Sequence, residues 1–188
     1  MDIRIRAVAG AALLALAGVA IAADDVRTSP YAGHQQRAIK SLSESEVSAL
    51  LAGQGAGMAK AAELNGYPGP LHTLELEEPL GLSAEQVSAT RALMTAHKAR
   101  AAELGATLVE AERRLDAVFS GQQADAAAVD EATARIGILQ SRLRAEHLKT
   151  HLAQTALLRP EQIRHYAVLR GYSGDAGHSH SHGKGHSQ

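Results

Sequence analysis

The sequence predicts an all-α protein built on a long antiparallel α-hairpin with shorter flanking helices. Three observations carry that expectation. Strong helix formers (Ala, Leu, Glu, Arg) dominate, aromatics amount to one Phe and four Tyr, and no alternating apolar run suggests a strand. Over residues 84–119 a stripe recurs at steps of three and four: Val87, Thr90, Met94, His97, Ala101, Leu104, Leu108, Ala111, Leu115, Val118. Such a heptad-like seam suits one helix lying along another. Finally, a five-residue phrase occurs twice, as Leu82-Ser83-Ala84-Glu85-Gln86 and Leu158-Arg159-Pro160-Glu161-Gln162, on either side of that region.

The first element is not part of the fold. Arg4 and Arg6 precede fifteen apolar residues, 7–21, and Ala20-Ile21-Ala22 is an A-x-A cleavage signal. This is the layout of a secretory signal peptide over 1–22, shorter than the roughly 20 residues needed to span a bilayer. Retention of the segment as an anchor is the alternative. Export implies a periplasmic protein, and with no cysteine its stability rests on helix packing. Without Asp2, Arg4 and Arg6 the chain keeps 17 basic and 19 acidic residues, a formal charge of −2. That balance excludes a general nucleic-acid binder.

Residues 23–42 read as an irregular leader, with Ser29-Pro30-Tyr31 as a turn. A helical domain over 43–172 follows. Ser43-Glu44-Ser45-Glu46 is a capping signature opening a helix that carries Val47, Leu50, Leu51, Met58 and Leu64. Gly53, Gly55 and Gly57 weaken its middle, marking a kink or a close crossing of two backbones. Asn65-Gly66-Tyr67-Pro68-Gly69-Pro70 breaks the chain, and a short helix runs from Pro70 to about Glu78.

Ser83 and Gln86 can cap the long outgoing helix reciprocally. Ser120-Gly121-Gln122-Gln123-Ala124-Asp125 reverses the chain, and Asp125 caps a returning helix with a stripe of Val129, Ala132, Ile136, Leu139, Leu143 and Leu157. Pro160 suits the first turn of a last short helix over 160–170. A hairpin alone buries a single seam, so a homodimer is the physical expectation.

Ten histidines fall into two populations. His178, His180, His182 and His186 alternate with Ser, Gly and Lys in residues 173–188, which lack apolar anchors and read as a disordered tail. Flexible imidazoles so spaced can close around zinc, copper or nickel. The second population lies in the hairpin. His147 and His151 project from one helix face in successive turns. With the turn centred on Gln122, His97 stands 25 residues before it and His147 25 after it. The three imidazoles therefore share a height across one seam, where they suit Zn²⁺ or Cu²⁺ with Glu146 or water completing the shell. His34 and His72 are further candidate ligands if the leader folds back, and His165 is weaker still.

Enzyme chemistries are poorly supported. His147-Leu148-Lys149-Thr150-His151 has the spacing of a zinc-protease helix but lacks its Glu. The Gly53-Gln54-Gly55-Ala56-Gly57 run follows no strand, and thiol chemistry needs a cysteine. Glu85 and Glu161 sit where helix dipoles favour negative charge, so capping explains them without catalysis.

The paired Leu-x-x-Glu-Gln phrases around a helical hairpin resemble the periplasmic Spy/CpxP family, including its ZraP and CnrX heavy-metal branches. Both copies depart from the family's usual Leu-Thr form, with Ser83 and Arg159 in place of Thr. The resemblance implies a cradle-like homodimer that holds unfolded clients without ATP, or metal-dependent stress signalling. The expected function is thus a non-enzymatic envelope-stress protein that binds heavy metals without needing a cofactor. The alternative is a heavy-metal sensor or adaptor controlling a membrane-bound signalling partner.

Overall fold

The computed structural model describes residues 28–173. The 1–22 signal-peptide reading and the 174–188 part of the tail, with His178, His180, His182 and His186, lie outside them. Among the described residues the chain is all-helical, with a short 3₁₀ turn at His34–Gln36 and six α-helices. These are α1 (Glu44–Leu51), α2 (Lys60–Glu63), α3 (Pro70–Glu75), α4 (Ala84–Ser120), α5 (Ala126–Leu157) and α6 (Pro160–Leu169). The long helices α4 and α5 pack against each other as the expected hairpin.

Local chemistry sets the helix starts. Ser43 and Ser83 each accept a bond from the backbone N–H three residues on, while Glu46 and Gln86 reach back to the N–H of Ser43 and Ser83. Asp125 accepts from Ala128 N–H at 2.8 Å to start α5. Arg159 has no acceptor to offer, so at α6 only the Gln162 half of the arrangement forms, at 2.9 Å. The hairpin turn is closed by Gln123 N–H on Val118 C=O at 3.1 Å, with Gln122 in the left-handed region at φ 56°.

The core is the seam itself. Ala101, Leu108 and Ala111 of α4 meet Ile136, Leu139 and Leu143 of α5, with Leu50, Met58, Leu104 and Leu115 packed against them. Past Leu143 the seam turns polar: His147, Thr150 and Gln154 are buried at the same spacing. Gln154 Nε2 donates to Thr90 Oγ1 at 3.1 Å. Both Thr90 with Gln154 and His97 with His147 lie at equal distances from Gln122, as a hairpin centred there requires.

One element differs from expectation. The single helix expected over 44–64 is two, α1 and α2, joined by a loop. Gly53 and Gly57 adopt φ 67° and 81°, and Ala56 between them φ 41°, conformations no α-helix contains. Gly53 is also a close crossing: a Cβ there would stand 2.7 Å from Lys98 C=O on α4.

The two copies of the repeated phrase clasp each other. Gln86 Nε2 donates to Gln162 Oε1 at 2.8 Å, and Gln162 Nε2 to Gln86 Oε1 at 3.1 Å. Gln86 also reaches Leu157 C=O, and Gln162 the carbonyl of Leu80. Gln162 is buried, so its amide needs these partners. The clasp fixes α6 across the open end of the hairpin.

Candidate metal centre

Where the seam turns polar, a cavity of about 520 Å³ opens between the glycine-rich loop, α2, α3 and the hairpin. His97 and Met94 line it from α4, His147 and His151 from α5, Glu63 from α2 and His72 from α3. The sequence expectation of a shared height for His97, His147 and His151 therefore becomes a shared cavity. Their directions differ. The His97 and His147 rings meet edge to face, with centroids 4.6 Å apart. His151 is turned to the Tyr67 carbonyl, 2.8 Å from its Nδ1. Among the described residues, no group of three or more His, Asp or Glu side chains is already gathered as a ready metal site.

Hydrogen bonding sets the tautomers. A carbonyl only accepts, so His151 carries its proton on Nδ1 and keeps its lone pair on Nε2. Thr150 spends its hydroxyl proton on Glu146 C=O at 2.9 Å and so accepts from His97 Nδ1, also at 2.9 Å. The Glu146 carboxylate, 3.4 Å from the same nitrogen, favours the same tautomer. Glu146 thus stands behind His97, bonded to the nitrogen opposite the free lone pair. Two histidines are in this way oriented through Nδ1 with Nε2 free, the arrangement by which outer partners orient metal-binding imidazoles.

His147 is the most enclosed of the three, at 4 % exposure, and its Nε2 is buried without a hydrogen-bond partner. Burial, then the neighbouring His97, pushes its pKa down from 6.5 to about 4; Glu146 pulls the other way and His151 adds to the lowering. The ring is therefore neutral near pH 7, the form that ligates metals. Glycines let the backbone close on these rings. A Cβ at Gly55 would lie 3.2 Å from His147 Nδ1, and one at Gly69 would lie 2.7 Å from His151 Cε1.

Two donors are beyond what the sequence reading named. Glu63 Oε2 is buried and unpartnered, 3.6 Å from His151 Nδ1. Met94 is legible as a seam residue but not as part of the cavity lining. His72 lines the cavity with its Nδ1 bonded to Glu75 at 2.8 Å, whereas His34 and His165 do not line it.

A family model described as heavy-metal resistance matches residues 47–165. The chain belongs to the heavy-metal resistance family. The matched span runs from α1 into α6, so in this family member it contains Glu63, Met94, His97, His147 and His151 but not the histidine-rich tail. No curated protein matches the chain, and no solved structure does.

A heavy-metal ion fits the residues present. His147 Nε2 and Glu63 Oε2 are buried polar atoms with no hydrogen-bond partner, an expensive condition that a bound cation relieves. Imidazole nitrogen, carboxylate oxygen and thioether sulfur together suit zinc, copper or nickel rather than magnesium or calcium.

The depressed pKa of His147 has a consequence for the metal-free protein. The unfolded chain takes up a proton near pH 6.5, while the folded chain resists it down to about 4. The contribution to stability is complete above pH 6.5 and declines as pH falls through that window. At 1.36 kcal/mol per unit, the loss by pH 4 is on the order of 2–3 kcal/mol. The melting temperature of chelator-treated protein is expected to fall between pH 7 and 4.5, and to fall less in His147→Gln.

Proposed function

We propose that this protein is a non-enzymatic periplasmic envelope-stress protein of Spy/CpxP type that binds a heavy-metal ion in the hairpin cavity. The observation that carries the reading is the convergence of His97, His147 and His151 on one cavity, where His147 and Glu63 each also bury a donor atom without a hydrogen bond. His147 and His151 would supply nitrogen from α5, His97 nitrogen from α4, and Glu63 oxygen from α2. Zinc, copper or nickel bound there would tie the short helix α2 to the hairpin.

The tail supplies a second, looser population of ligands in His178, His180, His182 and His186. In the same reading two hairpins associate as a cradle-like homodimer. Ile138 and Leu152 leave apolar surface on α5, at 50 % and 54 % exposure, that a second copy would cover. Unfolded clients would be held on the concave face without ATP. Arg91, Lys98, Arg100, Arg135, Arg142 and Arg144, all exposed, would steer acidic segments toward it.

One observation favours a sensor or adaptor as a second reading. The cavity is walled by α2, α3, α4 and α5 together, so an ion that prefers one packing of these helices shifts their equilibrium. Mass measurement of the mature N-terminus separates the two readings, because a retained 1–22 segment favours a membrane-tethered sensor.

Zinc titration of purified protein, followed by aggregation of an unfolded client with and without zinc and without ATP, tests the proposal. Deleting residues 177–188 is expected to lower the number of zinc ions bound per chain while circular dichroism keeps its helical signal. Unchanged stoichiometry removes the tail from the account. Client aggregation unaffected by the protein in every condition removes the holding activity.

A further inference from the structure

We infer that Tyr166 is a positioning residue of this cavity: with Tyr172 it fixes one oxygen of Glu63 and so presents the other toward the Nδ1 edge of His151, one of the candidate ligand rings. The inference rests on the metal-binding reading above, and it concerns residues of α6 and the chain just beyond it that do not line the cavity.

The geometry is specific. Glu63 ends α2, the four-residue helix Lys60–Glu63, and no local feature of so short an element can orient a carboxylate. Its orientation comes instead from the other end of the chain. Tyr166 donates a short hydrogen bond to Glu63 Oε1, and Tyr172 donates to the same oxygen at 3.1 Å. Arg170 Nε stands 3.7 Å from that oxygen, and the guanidinium also donates to the Tyr172 hydroxyl at 3.4 Å. Both phenols therefore converge on Oε1, and none of the three reaches Oε2. An ionised carboxylate has lone pairs on both oxygens, so this asymmetry leaves Oε2 with its full capacity on the His151 side.

Tyr166 is suited to the task. It is 1 % exposed, so its ring is held by packing and its hydroxyl cannot rotate out to water. The backbone that places it is the α6 start, where Gln162 is clasped to Gln86. The repeated phrase thus fixes the height of Tyr166, and Tyr166 fixes Glu63.

The test uses full-length protein with Co²⁺ as the probe, read by its d–d absorption and by competition with a chelator. Tyr166→Phe keeps the ring and removes the donor; Tyr172→Phe removes the second donor from a partly exposed site. Each is expected to weaken Co²⁺ binding, Tyr166→Phe by about 10–100-fold, and to alter the absorption band toward that of Glu63→Gln. Adding Tyr166→Phe to Glu63→Gln is expected to change neither quantity further. A metal-free melting temperature that falls while affinity and spectrum stay at wild-type values would make Tyr166 a packing residue and overturn the inference. A further drop in the double variant equal to that in the single one would overturn it too. Co²⁺ binding by the wild-type protein that His147→Ala leaves unchanged condemns the cavity reading itself, which is a separate result.

Discussion

Gly105→Ala is expected to destabilise the protein by about 2–4 kcal/mol, although it adds a single methyl group to a helix. Alanine is the better helix former by up to about 1 kcal/mol, so propensity alone predicts the opposite sign. Packing decides the outcome. A Cβ at position 105 would lie 2.1 Å from Leu50 O, 2.7 Å from Leu50 C and 3.2 Å from its Cα. All three atoms are backbone, and no rotamer change can move them aside. The end of α1 must lift from α4, and Leu50 then leaves its place against the core. Gly137→Ala is the matched control, because its Cβ meets nothing within 4 Å and α5 gains propensity. Urea unfolding should show the midpoint falling for Gly105→Ala and rising slightly for Gly137→Ala. Equal stability of Gly105→Ala and wild type would mean that α1 does not cross α4 at this position.

That crossing was only half legible. A glycine inside a helical stripe signals a close approach but does not name the partner, and Gly105 falls between the stripe residues Leu104 and Leu108. The hairpin itself was readable because its information is local. A three-and-four stripe on each side of Gln122 sets which faces meet, and a rigid helix carries that register 25 residues to His97 and His147. The split of 44–64 into α1 and α2 was not readable to the same degree, since glycine permits left-handed backbone without requiring it. At Ala56 the surrounding loop imposes it, at φ 41°.

The site shows the same division. Shared height for the three histidines follows from periodicity, but side-chain direction does not. His151 turned to the Tyr67 carbonyl because Gly69 allows that strand of chain to lie against its ring. Glu63 was invisible in Lys60-Ala61-Ala62-Glu63, an ordinary helical tetrapeptide. Its partners His151, Tyr166 and Tyr172 are 88 to 109 positions away, and only the tertiary fold brings them together. Thr150 and Gln154 were passed over for a different reason. A search for apolar stripes discards polar residues, yet these continue the seam and hold His97 and Thr90 by hydrogen bonds.

His147→Ala is expected to abolish tight metal binding by the hairpin, weakening it by more than the 10–100-fold typical of losing a supporting residue. The argument starts from protonation. Most surface histidines give up ligand capacity to protons as pH drops toward 6.5, but burial keeps His147 neutral to about pH 4. Its Nε2 meanwhile has no protein partner, so no hydrogen bond has to break before a cation is bound. Removing the ring deletes this donor and opens space beside Gly55, so neighbouring side chains cannot replace it at the same point. His97→Ala should act in the same direction, since the two rings meet at 4.6 Å. His165→Ala, at an exposed position that does not line the cavity, should leave affinity unchanged. The measurement is best made on protein lacking 177–188, so that tail imidazoles do not mask the loss. Tight binding retained by His147→Ala in that background would assign metal handling to other residues and leave the buried histidine pair as packing alone. Binding that vanishes with the tail, and is indifferent to His147, would place the family's chemistry on the tail rather than on the hairpin.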